Sequence, residues 1–270
     1  MKFKKMHWAL AWLGLSSLSI PVYAEVVISQ IYGGQGSVYN QDYVELFNNG
    51  SVVVDINGWS VQYASATGTG NFSANGVTTL SGVLQPGQYY LVGLRSAANG
   101  SALPTPDASN NGTDMSGTNG KVVLVKSSTG LTCNGGSNAC SSSQLAQMAD
   151  LVGYGTANFF EGSAAPASTS TTALLRKGNG CQDTNQNNND FERGTPAPRN
   201  SSSAVNVCGG GNTGGGTGNQ SIVTACPAIT LQVGEVGAGQ VQAVPQGVQQ
   251  RRARVHFEAT RTAVHVEGDV

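Results

Sequence analysis

Short apolar runs recur along this chain, separated by Gly, Asn, Asp and Pro, at the spacing of strands in an antiparallel sandwich. The pattern predicts strands over residues 26–32, 42–48, 52–56, 59–64, 88–93, 121–126 and 151–154. Alternation is visible in several of them: Val44 and Leu46, like Val61 and Tyr63, should face one way, with Glu45 and Gln62 facing the other. That is the pattern of half-buried antiparallel strands. Long helical periodicity is missing, and residues 142–150 suit one short helix starting at a Ser cap. Turn chemistry agrees: Asn48-Asn49-Gly50, Asn57-Gly58 and Pro86-Gly87 reverse the chain, and Trp59 is large enough to fill the centre of a sandwich. Two connections are unusually long, residues 67–76 and 96–119, and rich in Asn, Gly, Ser and Thr. Long ordered loops often carry function, but polar ones of this composition read first as mobile connections.

Composition strengthens the all-β reading. Gly is 37 of 270 residues and charged residues only 11%, the make-up of turn-rich extracellular β domains. The N-terminus reads as an export signal over residues 1–24. Lys2, Lys4 and Lys5 give the basic start, residues 8–20 the apolar stretch, and Pro21 and the Val22-Tyr23-Ala24 end its close. The apolar stretch is shorter than the roughly 20 residues a spanning helix needs, so cleavage and no membrane span are expected. The mature protein is then secreted, either extracellular, periplasmic or on the cell surface. Between Glu25 and Val244 there are seven Lys/Arg against twelve Asp/Glu, and no basic cluster. An acidic body of this kind is a poor match for a nucleic-acid backbone.

The clearest boundary is the Gly-rich stretch of residues 209–221, which cannot bury apolar surface and reads as a linker. It follows a first domain over residues 25–208. Residues 222–244 begin like the first strands of a second β domain, and at Pro245 the texture changes abruptly to Gln-Gln-Arg-Arg-Ala-Arg. Residues 245–270 therefore suggest a frame-shifted end, and the whole a truncated version of a longer protein.

Five cysteines suit an oxidising compartment. Cys133 and Cys140 can close a local loop and Cys181 and Cys208 a longer one, with loop-closure stabilisation of about 2.5 and about 3.6 kcal/mol. Spacing alone does not prove these pairs, and Cys226 is left unpaired. Catalysis finds little support. Between Glu25 and Val255 there is no His, which argues against a Ser/His/Asp triad, a His-based zinc site and the usual proton handling of metal-dependent phosphodiester hydrolysis. One segment is rich in oxygen ligands: Asp183, Asn185, Asn187 and Asp190 could serve Ca2+, although the Gly and terminal Glu of a helix-loop-helix calcium loop are missing. The same residues make Asx turns that hold a loop without any ion.

The segments Gln41-Asp42-Tyr43-Val44-Glu45-Leu46-Phe47-Asn48-Asn49, Val54-Asp55-Ile56-Asn57-Gly58-Trp59-Ser60-Val61 and Leu84-Gln85-Pro86-Gly87-Gln88-Tyr89-Tyr90-Leu91-Val92 resemble the lamin tail domain, an immunoglobulin-like β-sandwich. Asn119-Gly120-Lys121-Val122-Val123-Leu124-Val125 and Asp150-Leu151-Val152-Gly153-Tyr154-Gly155 also suit it. Further on, Phe160-Glu161-Gly162, Arg176, Gly180-Cys181-Gln182-Asp183-Thr184-Asn185, Asp190-Phe191 and Pro198-Arg199-Asn200-Ser201 resemble the lamin tail domains at the front of bacterial extracellular nucleases. The resemblance implies a following catalytic domain of the endonuclease/exonuclease/phosphatase type, which this sequence lacks. It leads to the expectation of a non-catalytic accessory module of a truncated nuclease, touching DNA only through the missing domain. The alternative is a free-standing module that binds a protein partner, surface or extracellular polymer.

Overall fold

The computed structural model describes residues 26–209. The segments read as signal and second domain, the anomalous end, Cys226 and all but the first residue of the linker lie outside the described residues. Twelve strands form in chain order: β1 Val27–Tyr32, β2 Gln41–Phe47, β3 Val54–Asp55, β4 Ser60–Ala64, β5 Val77–Thr79, β6 Val83–Leu84, β7 Tyr89–Ser96, β8 Ala108–Ser109, β9 Gly120–Val125, β10 Met148–Tyr154, β11 Ala173–Arg176 and β12 Phe191–Gly194. Two single-turn helices join them, α1 Ser142–Leu145 and α2 Asn187–Asp190.

The strands build an all-β sandwich. One sheet has the order β12-β11-β1-β2-β7-β8, the other β10-β9-β4-β5, and β3 and β6 pair separately. Ile28, Ile31, Val44, Leu46, Val92 and Leu174 from the first sheet meet Val61, Tyr63, Val122, Leu124 and Val152 from the second in one buried core. Each such side chain contributes roughly 1.5–3 kcal/mol on burial. The predicted alternation of β2 is therefore correct on its inner side.

Its outer side is not. Glu45 and Gln62, expected to face solvent, are fully buried. Both sheets are covered on their outer faces by chain that local patterning could not place there. Over the four-stranded sheet lies the loop closed by Cys133–Cys140, with Phe72, Leu131 and Cys133 packed on Val123, Val125 and Leu151. Asn134 holds this cover: its amide donates to the carbonyls of Gly68 and Gly70, and its oxygen accepts from the N–H of Gly136 and Asn138. The 67–76 connection is thus pinned along its length, and includes a 3-10 turn at Phe72–Asn75 that inserts the buried Phe72. In the 96–119 connection, β8 pairs in parallel with β7, Val92 opposite Ala108.

Two other expectations are corrected. Trp59 is half-buried and packs on the rim of the core, with Lys126 Nζ 5.6 Å from its ring centroid, so smaller residues fill the sandwich centre. The helix of 142–150 stops at Leu145. It begins as expected with a capping box, Ser141 exchanging bonds with Gln144, but residues 148–150 join β10 and pair with β9, where the sheet overrides helix propensity.

Candidate functional site

A strap formed by residues 195–208 runs back over the outer face of the six-stranded sheet, and Glu45 is its anchor. A bulge between Ile28 and Gln30 places two consecutive residues of β1 beside Glu45 of β2. Ser29 Oγ donates to one carboxylate oxygen at 2.6 Å and Gln30 Nε2 to the other at 3.0 Å. The strap supplies the rest. The backbone N–H of Arg199 donates at 2.7 Å, its Nε at 3.2 Å and its Nη2 at 2.8 Å. The guanidinium also lies over the ring of Tyr89, 3.7 Å from its centroid, and donates to the Tyr89 hydroxyl. Burial pushes the Glu45 carboxyl up from its ordinary value, and the hydrogen bonds from Arg199 and Ser29 pull it back down. Further along, Asp107 accepts from the N–H and hydroxyl of Ser201, Asn206 N–H donates to Gly87 at 2.8 Å, and Cys208 is bonded to Cys181.

The second cluster surrounds Arg176 at the end of β11. Its guanidinium is buried over the ring of Phe191 and meets Asp150 at 2.7 Å, Asp183 at 3.2 Å and Asp190 at 3.8 Å. Its Nε donates to the carbonyl of Ile28, whose N–H donates to Asp150 at 2.6 Å. The cluster thus ties β11 and β10 to the bulged strand β1. Nearby, burial together with Asp150 and Asp183 pushes Glu161 up to about 8, so it carries a proton at neutral pH.

The oxygen-rich segment belongs to this cluster. Asp183 and Asp190 face the guanidinium, and Asp190 also accepts from the N–H groups of Thr184 and Gln186 and the Thr184 hydroxyl. Asn185 sits in the left-handed region at φ 54° with its N–H toward Asp183, an Asx-turn arrangement. Asn187 turns elsewhere: its oxygen accepts from Gly153 and Glu161 N–H, and its amide donates to Leu151. The four side chains do not converge as a cation cage, because the positive charge among them is Arg176. Among the described residues no group of three or more His, Cys, Asp or Glu is arranged to hold a metal ion.

The strap covers only part of the sheet. Across the outer face Glu45, Gln30, Leu175 and Glu192 stand in one row on β2, β1, β11 and β12. The strap lies over the first two. Beyond it a groove of about 480 Å³ opens, lined by Leu175, by Pro198 and Arg199 of the strap and by Lys177 and Asn179. Tyr39 and Glu192 also line it, with Gln30, Arg176, Gly178 and Ala197.

The profile of the family described as Lamin Tail Domain matches residues 21–156. This chain belongs to the lamin tail domain family. No curated protein matches it. Among solved structures it is similar to a DUF4876 family protein from Bacteroides thetaiotaomicron, at 14% identity and a TM-score of 0.45, over 68% of this chain and 75% of that one. The family match ends at residue 156, so β11, β12, Arg176 and the strap extend this lamin tail domain beyond the matched portion. Both disulfides weighed from spacing are formed, Cys133–Cys140 and Cys181–Cys208, and they fit an oxidising, extracellular environment. Among the described residues no helix is long and apolar enough to cross a membrane.

Arg176, Arg199 and Glu161 were singled out in the sequence only through resemblance, and the fold gives them partners. Glu45, the anchor of the strap, was missed, since its one signal was an ordinary polar position in an alternating strand. The strands β11 and β12 were missed as well, being four residues each and lacking clear alternation.

Proposed function

We propose that this lamin tail domain is a secreted, non-catalytic module that serves as the binding and positioning part of an extracellular nuclease. The observation that carries the reading is the use made of the residues resembling those of nuclease-associated lamin tail domains. Arg176, Asp183, Asp190 and Arg199 are all committed to partners inside the fold, where they join strands and fasten the strap. These charges go into holding a scaffold, whereas hydrolysis would need an acid, base or nucleophile aimed at a common point. The two disulfides support work outside the cytoplasm. The test is direct. The exported chain, residues 25–270, incubated with DNA and Mg2+ or Ca2+, should give no cleavage above background, and turnover would remove the non-catalytic reading.

A free-standing binding module is the second reading, favoured by the open groove beside the strap. The two differ in the DNA that encodes them. A catalytic domain rich in His, Asp and Glu, readable in some frame after codon 244, supports the nuclease accessory, and its absence from all three frames supports the free-standing module.

A further inference from the structure

We propose that the groove between the strap and the Lys177–Asn179 turn binds an acidic sugar unit of an extracellular polysaccharide. This inference deepens the binding role given above and rests on it. Three observations carry it.

The first is the shape of the uncovered surface. The strap takes over the Glu45 and Gln30 end of the cross-strand row and leaves Leu175 and Glu192 open, so a groove remains beside it. Its volume of about 480 Å³ lies within the range of small-ligand sites.

The second is the distribution of polarity. The apolar part of the lining is the half-buried Leu175, Pro198 and Tyr39 with the exposed Ala197, while hydrogen-bonding groups stand around it. A pyranose ring has the same division, with C–H faces that settle on apolar or aromatic surface and hydroxyls at the edge. The rim has capacity to spare. Among the described residues, the Asn179 amide and the Glu192 carboxylate have no side-chain hydrogen bond, and both residues are exposed. Arg199 uses one N–H of Nη1 on Tyr89 and one of Nη2 on Glu45, which leaves one on each nitrogen.

The third is charge. Of the charged residues among 26–209, those exposed are Asp55, Asp114 and Glu192 against Arg95, Lys126 and Arg193, a balanced set. Against that neutral background the groove brings Lys177, whose Nζ spends one donor on the Asn189 carbonyl, and Arg199 together with a single acid, Glu192, while the buried Arg176 behind them is spent on its three aspartates. Arg199 is preorganised by its stacking on Tyr89 and its bonds to Glu45, and presents a fixed edge for a carboxylate. A uronic acid meets these demands: its carboxylate toward Arg199 and Lys177, its hydroxyls toward Asn179 and Glu192, its ring over Leu175 and Pro198.

The experiment is calorimetric titration of the disulfide-intact chain, residues 25–270, with trigalacturonate, using maltotriose and a triglutamate peptide as comparisons. Trigalacturonate should bind; maltotriose, which lacks the carboxylate, should bind at least about tenfold more weakly, the worth of one charge-assisted contact, and triglutamate, which keeps carboxylates but lacks the ring and its hydroxyls, should bind at least about tenfold more weakly as well. Lys177→Ala and Asn179→Gly should each weaken trigalacturonate about tenfold. Both positions lie at the groove's edge, and glycine suits the left-handed backbone of Asn179 at φ 55°. Circular dichroism of the variants should match the parent. Absence of trigalacturonate binding, equal binding of maltotriose or triglutamate, or affinity unchanged in both variants overturns the proposal. A chain that cleaves DNA yet binds trigalacturonate fails the non-catalytic reading alone, and one that does neither fails this inference alone.

Discussion

Replacing Arg199 with Ala should loosen the strap, and the size of the effect follows from the atoms it removes. Glu45 is fully buried, and its carboxylate keeps three donors in the variant: Ser29 Oγ, Gln30 Nε2 and the backbone N–H of residue 199. It loses the two side-chain donors of Arg199 and the compensating charge. Breaking a fully buried ion pair costs about 3–5 kcal/mol. The Arg199 side chain is 27% exposed and Glu45 retains three of its five donors, so the cost falls below that range, at about 2–3 kcal/mol. Loss of the guanidinium from the Tyr89 ring adds about 0.5–1 kcal/mol. The sum, about 3 kcal/mol, should lower the melting temperature by about 6–12 °C in a domain of this size. Urea unfolding of the oxidised protein measures it, and the double variant Glu45→Gln with Arg199→Ala isolates the coupling between the two charges. A loss of less than about 1 kcal/mol, or a coupling near zero, would show that Arg199 is not what fastens the strap.

Three other outcomes are expected. Replacing both Cys181 and Cys208 with Ser should lower stability by about 3.6 kcal/mol, the loop-closure value for this separation, and an unchanged urea midpoint would mean the strap is held without its terminal staple. Glu161 keeps its proton in the folded protein up to about pH 8 but ionises from its ordinary value of 4.5 when unfolded, so stability should fall as pH rises across that window. Glu161→Gln should flatten the decline, and parallel pH profiles of unfolding free energy would contradict the assignment. Gly87→Ala should cost about 1–3 kcal/mol, because φ is 75° and a Cβ would stand 2.7 Å from the Asn206 carbonyl carbon in the strap. Gly58→Ala, at φ 76° with open space around it, should cost only the backbone share, about 1 kcal/mol, and equal losses at both glycines would remove the strap contact from the account.

How far the sequence carried can be seen in single strands. The inner face of β2 was legible, because Val44 and Leu46 repeat with a period of two and their partners Val92 and Tyr90 on β7 do the same, whereas the bulge sets their β1 partners Ile31 and Ile28 three residues apart. The outer face was not, because what buries Glu45 lies 154 residues away at Arg199, and alternation carries no information about coverage from that distance. The Pro86-Gly87 turn was legible as a turn from its dipeptide alone, with the Gln88 N–H donating to Gln85. That the same glycine makes room for the strap was not. The segment from Asp183 to Asp190 shows the limit most clearly. Its acids and amides are as consistent with a cation as with a turn, and the deciding group, Arg176, enters from a separate strand.

The charge count teaches the same point and changes a functional inference. Acids outnumber bases between Glu25 and Val244, and this suggested an acidic body that would repel a phosphate backbone. Five of those acids, Asp42, Glu45, Asp150, Asp183 and Asp190, are buried. Asp150, Asp183 and Asp190 share Arg176, Glu45 holds Arg199, and Asp42 accepts from the N–H groups of Gln35 and Met115. The exposed charges that remain are balanced, so the described surface is close to neutral and not acidic. With its exposed charges balanced, this amide- and hydroxyl-rich surface suits short-range recognition, in which shape and hydrogen bonds decide. Electrostatic steering toward DNA therefore has no source among these residues beyond the groove. Within residues 26–209 the excess of ten acids over seven bases sits in buried groups, most of them in the pairs and hydrogen bonds that hold β1, β2, β10, β11 and the strap together.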